Sequence, residues 1–280
     1  MHLAISAFLF LQGPLDAVQE GIRKMGGVSF SYEAEYERIG DEHSKRRMPR
    51  QYTFTGSLTI KADTGLVLSE SRTPHPDDEW MISKASYSPK HASYTYQLES
   101  KKMPLMRETG RGGYDSILHV GYHRLETWFP AAALLVGNSE DSASFTDNGD
   151  ELKDDRRLHV LSHTIEPRKT FRVERRYWID LSRNGVVSKA EFRFNGEKTV
   201  SMSAKEQRSF KGASGRQVWL PTVIAVEQFL TSNTTAKETG VGAIISRTTY
   251  RITPESVKID DKPAVANEPT TPAKQRTTDH

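Results

Sequence analysis

From Val28 to Tyr36 apolar residues take every second place: Val28, Phe30, Tyr32, Ala34 and Tyr36 stand apart from each other by Ser or Glu. The same period runs through Tyr52, Phe54, Gly56, Leu58 and Ile60, with Thr or Ser between them. Successive side chains of a strand point to opposite faces, so this alternation gives one buried and one wet face, as in antiparallel sheet. Further strand candidates cover 66–72, 93–98, 158–165, 171–181, 186–194, 199–204, 218–230 and 243–253. Short connections rich in Gly, Asn, Asp and Ser join them, as hairpins require. The pattern predicts a mostly β chain, a meander of about ten strands rather than alternating βαβ units. No period of fixed length repeats, which argues against a propeller or solenoid.

Residues 175–204 are the most patterned piece. Asn184-Gly185 and Asn195-Gly196 are turn pairs suited to type I′ hairpins, whose two central positions need positive φ. Between them Val186, Ser188, Ala190, Phe192 and Phe194 fall on one side of a strand, and Val187, Lys189, Glu191 and Arg193 on the other. This predicts a three-stranded meander in which Asp180 is a turn residue accepting backbone hydrogen bonds.

Four segments depart from the two-residue period. Leu15, Val18, Ile22 and Met25 recur at helical spacing over 14–25, behind Pro14 and before Gly26-Gly27. Residues 126–137 read as a short apolar helix ended by Gly137, and 139–155 as a polar loop. The last twenty residues, 261–280, are rich in Thr and Pro and hold no aromatic residue, so they predict a disordered tail.

The apolar run Leu3–Leu11 is far shorter than the roughly 20 residues needed to span a bilayer, but it suits the core of a secretory signal. Its n-region holds no Lys or Arg, and a buried N-terminal element is the competing reading. The expected division is a signal peptide over 1–13, one domain over 14–260 and the tail over 261–280. The expected place is the periplasm or another exported site of a bacterial envelope, as a soluble rather than integral membrane protein.

Charge and composition narrow the chemistry. The 39 Lys+Arg against 36 Asp+Glu leave a net charge of +3, which argues against a dedicated nucleic-acid binder. The chain has no cysteine, so disulfides, thiolate metal sites and a Cys nucleophile are excluded. His119 with His123, and His159 with His163, form two His-x-x-x-His pairs that invite a zinc reading. Val rather than Glu follows each first histidine, and partly exposed histidines along a strand face explain the second pair as well. No Gly-x-Ser-x-Gly elbow occurs, and Ser214 in "GASGR" reads as a hairpin loop. "TGRGGY" at 109–114 lacks the strand-to-helix context of a phosphate cradle. Lys45, Arg46, Arg47 and Arg50 share one loop, where a solvated turn competes with an anionic partner. "HPDDE" at 75–79 suits a turn. No catalytic residue, metal or cofactor is predicted.

The apolar strand faces are rich in aromatics. Phe30, Tyr32, Tyr36, Tyr52, Phe54, Tyr94, Tyr96, Phe192 and Phe194, with Leu58, would line one side of the sheet. Two short helices are thin cover for that many strands, so a concave apolar face could stay open to a ligand.

The order of elements resembles the periplasmic lipoprotein-sorting family, LolA/LolB-like. The likeness lies in Trp178-Ile179-Asp180, in the turn Asn184-Gly185 and in Trp219-Leu220-Pro221, and it runs in element order over 14–255. It implies an unclosed antiparallel half β-barrel with short helices over its concave face, holding acyl chains or lipoprotein without catalysis. The expected ligand-contacting residues are then Phe30, Tyr32, Tyr36, Phe54, Leu58, Tyr94, Tyr96, Phe192 and Phe194. The expected partners are lipid or lipoprotein acyl chains. Two other readings stand beside this one. In one, an envelope sensor or interaction module binds a partner protein through the loops at 40–50 and 139–155. In the other, a metal-dependent hydrolase uses His119, His123, His159 and His163.

Overall fold

The computed structural model describes residues 26–39, 50–61, 64, 66–75, 79–87, 92–101, 106–110, 144–168, 171–183, 185–231 and 241–260. The signal and tail segments, the expected helices over 14–25 and 126–137, and His119 and His123 lie outside these residues.

The described chain forms one antiparallel sheet of fourteen strands. The first six are β1 (Gly27–Arg38), β2 (Gln51–Lys61), β3 (Leu66–Pro74), β4 (Trp80–Tyr87), β5 (Ala92–Leu98) and β6 (Met106–Gly110). They run outward from the middle of the sheet to one edge. The chain re-enters at the opposite edge with β7 (Ser144–Lys153) and returns through β8 (Arg156–Arg168), β9 (Phe171–Asp180), β10 (Val186–Phe194), β11 (Glu197–Lys211), β12 (Gln217–Phe229) and β13 (Ile244–Ile252). β13 pairs with β1, and this seam joins the two meanders, with Tyr32 opposite Ile252 and Tyr36 opposite Thr248. β14 (Lys258–Asp260) continues beside the first residues of β1. Among the described residues β6 and β7 do not pair with each other, so the sheet is unclosed.

One face of this sheet, here the inner face, carries the core. Its cluster reaches from Ala85 on β4 through Phe30, Leu58, Ile224 and Met202 to Tyr177 and Leu161 on β9 and β8. Each such side chain, once fully buried, contributes roughly 1.5–3 kcal/mol relative to exposure. The outer face is mostly polar: Glu33, Glu35 and Glu37 of β1 lie opposite Arg251, Thr249 and Arg247 of β13. Leu158, Val160 and Trp178 form a small second cluster there.

Several sequence expectations change. The strands number fourteen among the described residues, not about ten. Residues 144–153 of the expected polar loop 139–155 form the edge strand β7 instead. Thr109 and Gly110 close β6 rather than belonging to a glycine loop. Helix among the described residues is confined to two 3-10 turns, Leu181–Arg183 and Pro254–Ser256, so no helical cover of the inner face lies within them.

The three strands of the meander over 175–204 form as predicted, with Asn195 at φ 48° and Gly196 at φ 86° in the second turn, but the first connection is not a two-residue hairpin at Asn184-Gly185: it runs from Leu181 to Gly185 and contains the 3-10 turn Leu181–Arg183. The facing of the meander does not hold throughout. The β9–β10 register shifts between Val187 and Lys189, leaving Ser188 as an extra residue. A bulge of this kind moves the residues before it to the other face. Val187, not Val186, therefore joins Ala190 and Phe192 in the core.

Candidate functional site

The inner face has two contrasting halves. On β1, β2 and β13 the inward row is a chain of aromatic rings. Tyr36 and Tyr52 stack with centroids 4.8 Å apart, Tyr52 lies 6.0 Å from Phe54, Phe54 meets Tyr250 edge-on at 5.9 Å, and Tyr250 meets Tyr32 edge-on at 5.5 Å. Register explains the row: Tyr36 is directly opposite Tyr52, and Ala34 lies between Phe54 and Tyr250. Burial rises along it. Tyr36, Tyr52 and Phe54 are half-buried, whereas Tyr32, Tyr250 and Phe30 are fully buried. Burial, and then the neighbouring Tyr36, push the Tyr52 hydroxyl up to about 12, so it stays protonated and able to donate. Gly56 makes room for the row: a Cβ there would fall 2.6 Å from the Glu70 carbonyl oxygen and closer still to the Tyr32 ring.

The expected ligand-contacting residues divide by depth. Phe30, Tyr32, Leu58 and Phe192 are buried in the core cluster, and Phe54 and Tyr96 pack against it. Tyr36 and Phe194 are half-buried. The backbone of Tyr94 sits in β5 opposite Ala85 and Glu108, while its side chain lies outside the described residues.

The second half, on β8 to β11, mixes apolar and polar groups. Tyr177 meets Phe192 edge-on at 6.5 Å. Beside them Arg175 is 3% exposed, opposite His163 on β8 and Phe192 on β10. Arg175 hydrogen-bonds the fully buried Tyr177; burial pushes that phenol up, and the guanidinium pulls against the rise. Burial, and then the charge of Arg175, bring His163 down to about 3, so its imidazole is neutral. The second histidine pair was expected to be partly exposed, but both members are buried: His159, Leu161 and His163 form the inward row of β8.

His159 is held between two carboxylates of β7. Its Nδ1 lies 2.9 Å from Asp150 Oδ1, and its Nε2 lies 3.1 Å from Asp147 Oδ1, the second contact too bent for a hydrogen bond. The two carboxylates face different nitrogens rather than a shared point, and no group of three or more metal-binding side chains converges among the described residues.

The outer face holds networks of hydrogen bonds and ion pairs. Asp180 is buried and its Oδ1 accepts from the backbone N–H of Ser182 at 3.1 Å and from its hydroxyl, the turn role expected for it. Its Oδ2 faces Arg156 at 3.8 Å and Arg183 at 3.6 Å. The indole N–H of Trp178 donates to Glu151 at 2.7 Å, and Lys189 lies over its ring. Burial alone would raise the Glu191 carboxyl, but Lys189 and Arg193 overcome it and hold the group below its ordinary value. Arg50, the described member of the basic loop, donates to the carbonyls of Arg38 and Ile39. Ser214 sits in a β11–β12 turn, where Gly215 has φ 84°. A depression of about 300 Å³ crosses the outer face of β2 to β5, lined by Ser57, Thr59, Leu68, Thr95 and the Glu70–Lys84 ion pair. Its hydroxyl-rich wall is unlike an acyl site.

The sequence pattern puts Tyr52 on the aromatic face but not among the expected ligand-contacting residues, and it misses three inner-face residues at the site, Tyr250, Tyr177 and Arg175. The alternation of β9 through Val173, Arg175, Tyr177 and Ile179 carries that signal, because the first, third and fourth of these are apolar or aromatic and fix the face of the second.

No family model and no curated protein matches the chain. Solved structures do. A DUF1329-family protein from Desulfovibrio piger superposes with a TM-score of 0.53 at 12% identity, covering 89% of this chain and 95% of that one. A domain proposed to be an outer membrane lipoprotein-sorting protein, from Vibrio parahaemolyticus, superposes with a TM-score of 0.50 at 12% identity, covering 88% and 92%. At such identities the likeness is one of fold, and the fold is LolA-like.

Proposed function

We propose that this protein is an exported carrier that holds a lipid, an acyl chain or the acyl part of a lipoprotein against its inner face and catalyses no reaction. The observation that carries the reading is the apolar core on the inner face of an unclosed sheet, with an aromatic row on β1, β2 and β13 that runs from half-buried to buried. Acyl methylenes gain about 0.8 kcal/mol each when such a surface removes them from water. Tyr36, Phe54, Tyr96 and Phe194 would meet the ligand nearer the surface, and Phe30, Tyr32, Leu58 and Phe192 at depth, with Tyr94 two residues before Tyr96 on β5. The LolA-like fold supports the reading by analogy, and the signal-like run Leu3–Leu11 supports export to the envelope.

Native mass spectrometry of the purified protein, followed by uptake of a fluorescent fatty acid by the delipidated protein, tests it. Co-purifying lipid and saturable uptake are expected. A protein that carries no lipid and takes up no probe would be no carrier.

A further inference from the structure

We infer that the depression on the outer face of β2 to β5 is a second binding site, and that it takes a neutral saccharide of one or two rings. It lies on the opposite side of the sheet from the aromatic row and does not depend on the carrier reading. Register lays out its floor in two cross-strand rows. Thr59, Leu68, Ser86 and Ser93 stand side by side from β2 to β5. In the next row Ser57 and Thr95 flank Glu70 and Lys84, which pair at 3.1 Å. Short hydroxyl side chains thus surround one apolar side chain and one ion pair. The hollow of about 300 Å³ exists because those side chains are short. On β10, by contrast, the outward row is Lys189, Glu191 and Arg193, long chains that pair with one another across the surface. The volume matches the small end of the range for small-molecule sites, about 300–1,000 Å³.

The lining separates ligand classes. An acyl chain would take the five hydroxyls out of water without replacing their hydrogen bonds. An anion that meets Lys84 also meets Glu70, and a cation that meets Glu70 also meets Lys84, so neither net charge is favoured. A sugar ring fits all three kinds of group. Its hydroxyls donate and accept, as do those of the serines and threonines around it. The Glu70 carboxylate can accept from two adjacent sugar hydroxyls, and the Lys84 ammonium can donate to a hydroxyl or ring oxygen. Such charge-assisted bonds are roughly twice as strong as neutral ones. Leu68, 38% exposed, offers an apolar surface to the C–H face of the ring. The side chains of Lys84 and Glu70 are 60% and 52% exposed, so a ligand can reach both, and their own pairing contributes little to stability.

Titration of the full-length protein with glucose, N-acetylglucosamine, maltose and glucose 6-phosphate, followed by amide chemical shifts, tests the site. At least one neutral sugar should give saturable shifts at Leu68, Glu70, Lys84 and Ser86 in the millimolar range or below, while β8 to β11 stay unmoved. Glucose 6-phosphate should bind no tighter than glucose. Glu70→Ala should weaken the best sugar roughly ten- to a hundredfold, the loss of a charge-assisted hydrogen bond. Thr95→Lys, which puts a long chain into the hollow, should abolish the shifts. No saturable shift with any of the three neutral sugars overturns the site. Shifts centred on other strands overturn its placement, and tighter binding of the phosphate overturns the neutral class. Undiminished sugar binding by Glu70→Ala overturns the role of the ion pair. If that variant does not fold, Thr95→Lys decides, because sugar binding unchanged in a filled hollow also overturns the site.

Discussion

At the residue scale, small and neutral groups matter as much as the aromatic ones. Gly56 is the clearest case, because Tyr32 lies where its side chain would be and the Glu70 carbonyl blocks the other exit. Neither neighbour is the far end of a flexible chain. Gly56→Ala should therefore destabilise the protein by about 1–3 kcal/mol, the usual cost of overpacking, despite the better strand propensity of Ala. A chemical denaturation curve with an unchanged midpoint would rule this out. His163 gives a prediction with a sign. Its folded value is depressed from 6.5 to about 3 by burial and by Arg175. Below about pH 6.5 the unfolded chain takes up a proton that the folded chain refuses until about pH 3. Stability is thus fully present above that window and falls as pH drops through it, by at most about 1.4 kcal/mol per pH unit. His163→Gln removes this component. The urea midpoint of the variant should fall less steeply than that of wild type between about pH 6 and pH 4, and parallel curves would exclude the mechanism.

At the scale of elements, legibility followed burial. β1, β2, β12 and β13 have one wetter and one buried face, so alternation reveals them. β7 has exposed residues on both faces over 146–152, so Thr-Asp-Asn-Gly-Asp-Glu-Leu carries no alternation and reads as a loop. β4 inverts the expected pattern: its inward row presents Ser83 and Ala85, while Ile82 lies on the outer side, and Arg72 stacks over Trp80 instead of a core neighbour. The Ser188 bulge was hidden because one extra residue leaves no mark in composition, yet it exchanges Val186 for Val187 in the core. What the pattern of β7 lacks, polar anchors supply. Asp147 and Asp150 bracket buried His159, Asn148 donates to Ser162 at 2.9 Å, and Gly149 turns at φ 75° to allow it. The hydrogen bond with His159, and then Arg157, hold the Asp150 carboxyl below its ordinary value. Replacing both Asp147 and Asp150 by Asn should loosen this edge alone. Amides of β7 and the facing residues of β8 should exchange roughly ten- to a hundredfold faster, the loss of one or two charge-assisted bonds, while those of β1 and β13 keep their rates. Uniform acceleration across the sheet would mean that β7 is not a separate unit.

At the scale of the molecule, the chain begins its sheet in the middle and closes it with a seam between β1 and β13, and this arrangement places the aromatic row at that seam. The seam is where the two meanders must meet before the inner face exists, so any ligand surface there is a product of the whole sheet. A surface of this kind should bind by apolar area more than by local contacts. For saturated acids of increasing length, each added methylene that reaches the inner face should tighten binding by up to about 0.8 kcal/mol, or roughly fourfold. The slope should hold while the chain lies against the row from Tyr36 toward Tyr32 and Phe30, then flatten once it outgrows the face. The same series on Phe54→Ala should show a shallower slope, because that ring links the half-exposed Tyr52 to the buried Tyr250. Calorimetry should also give a negative heat-capacity change that grows with chain length over the same range, as burial of apolar surface requires. An affinity that does not depend on chain length, or a heat-capacity change that does not grow with it, would place binding at the polar outer face instead.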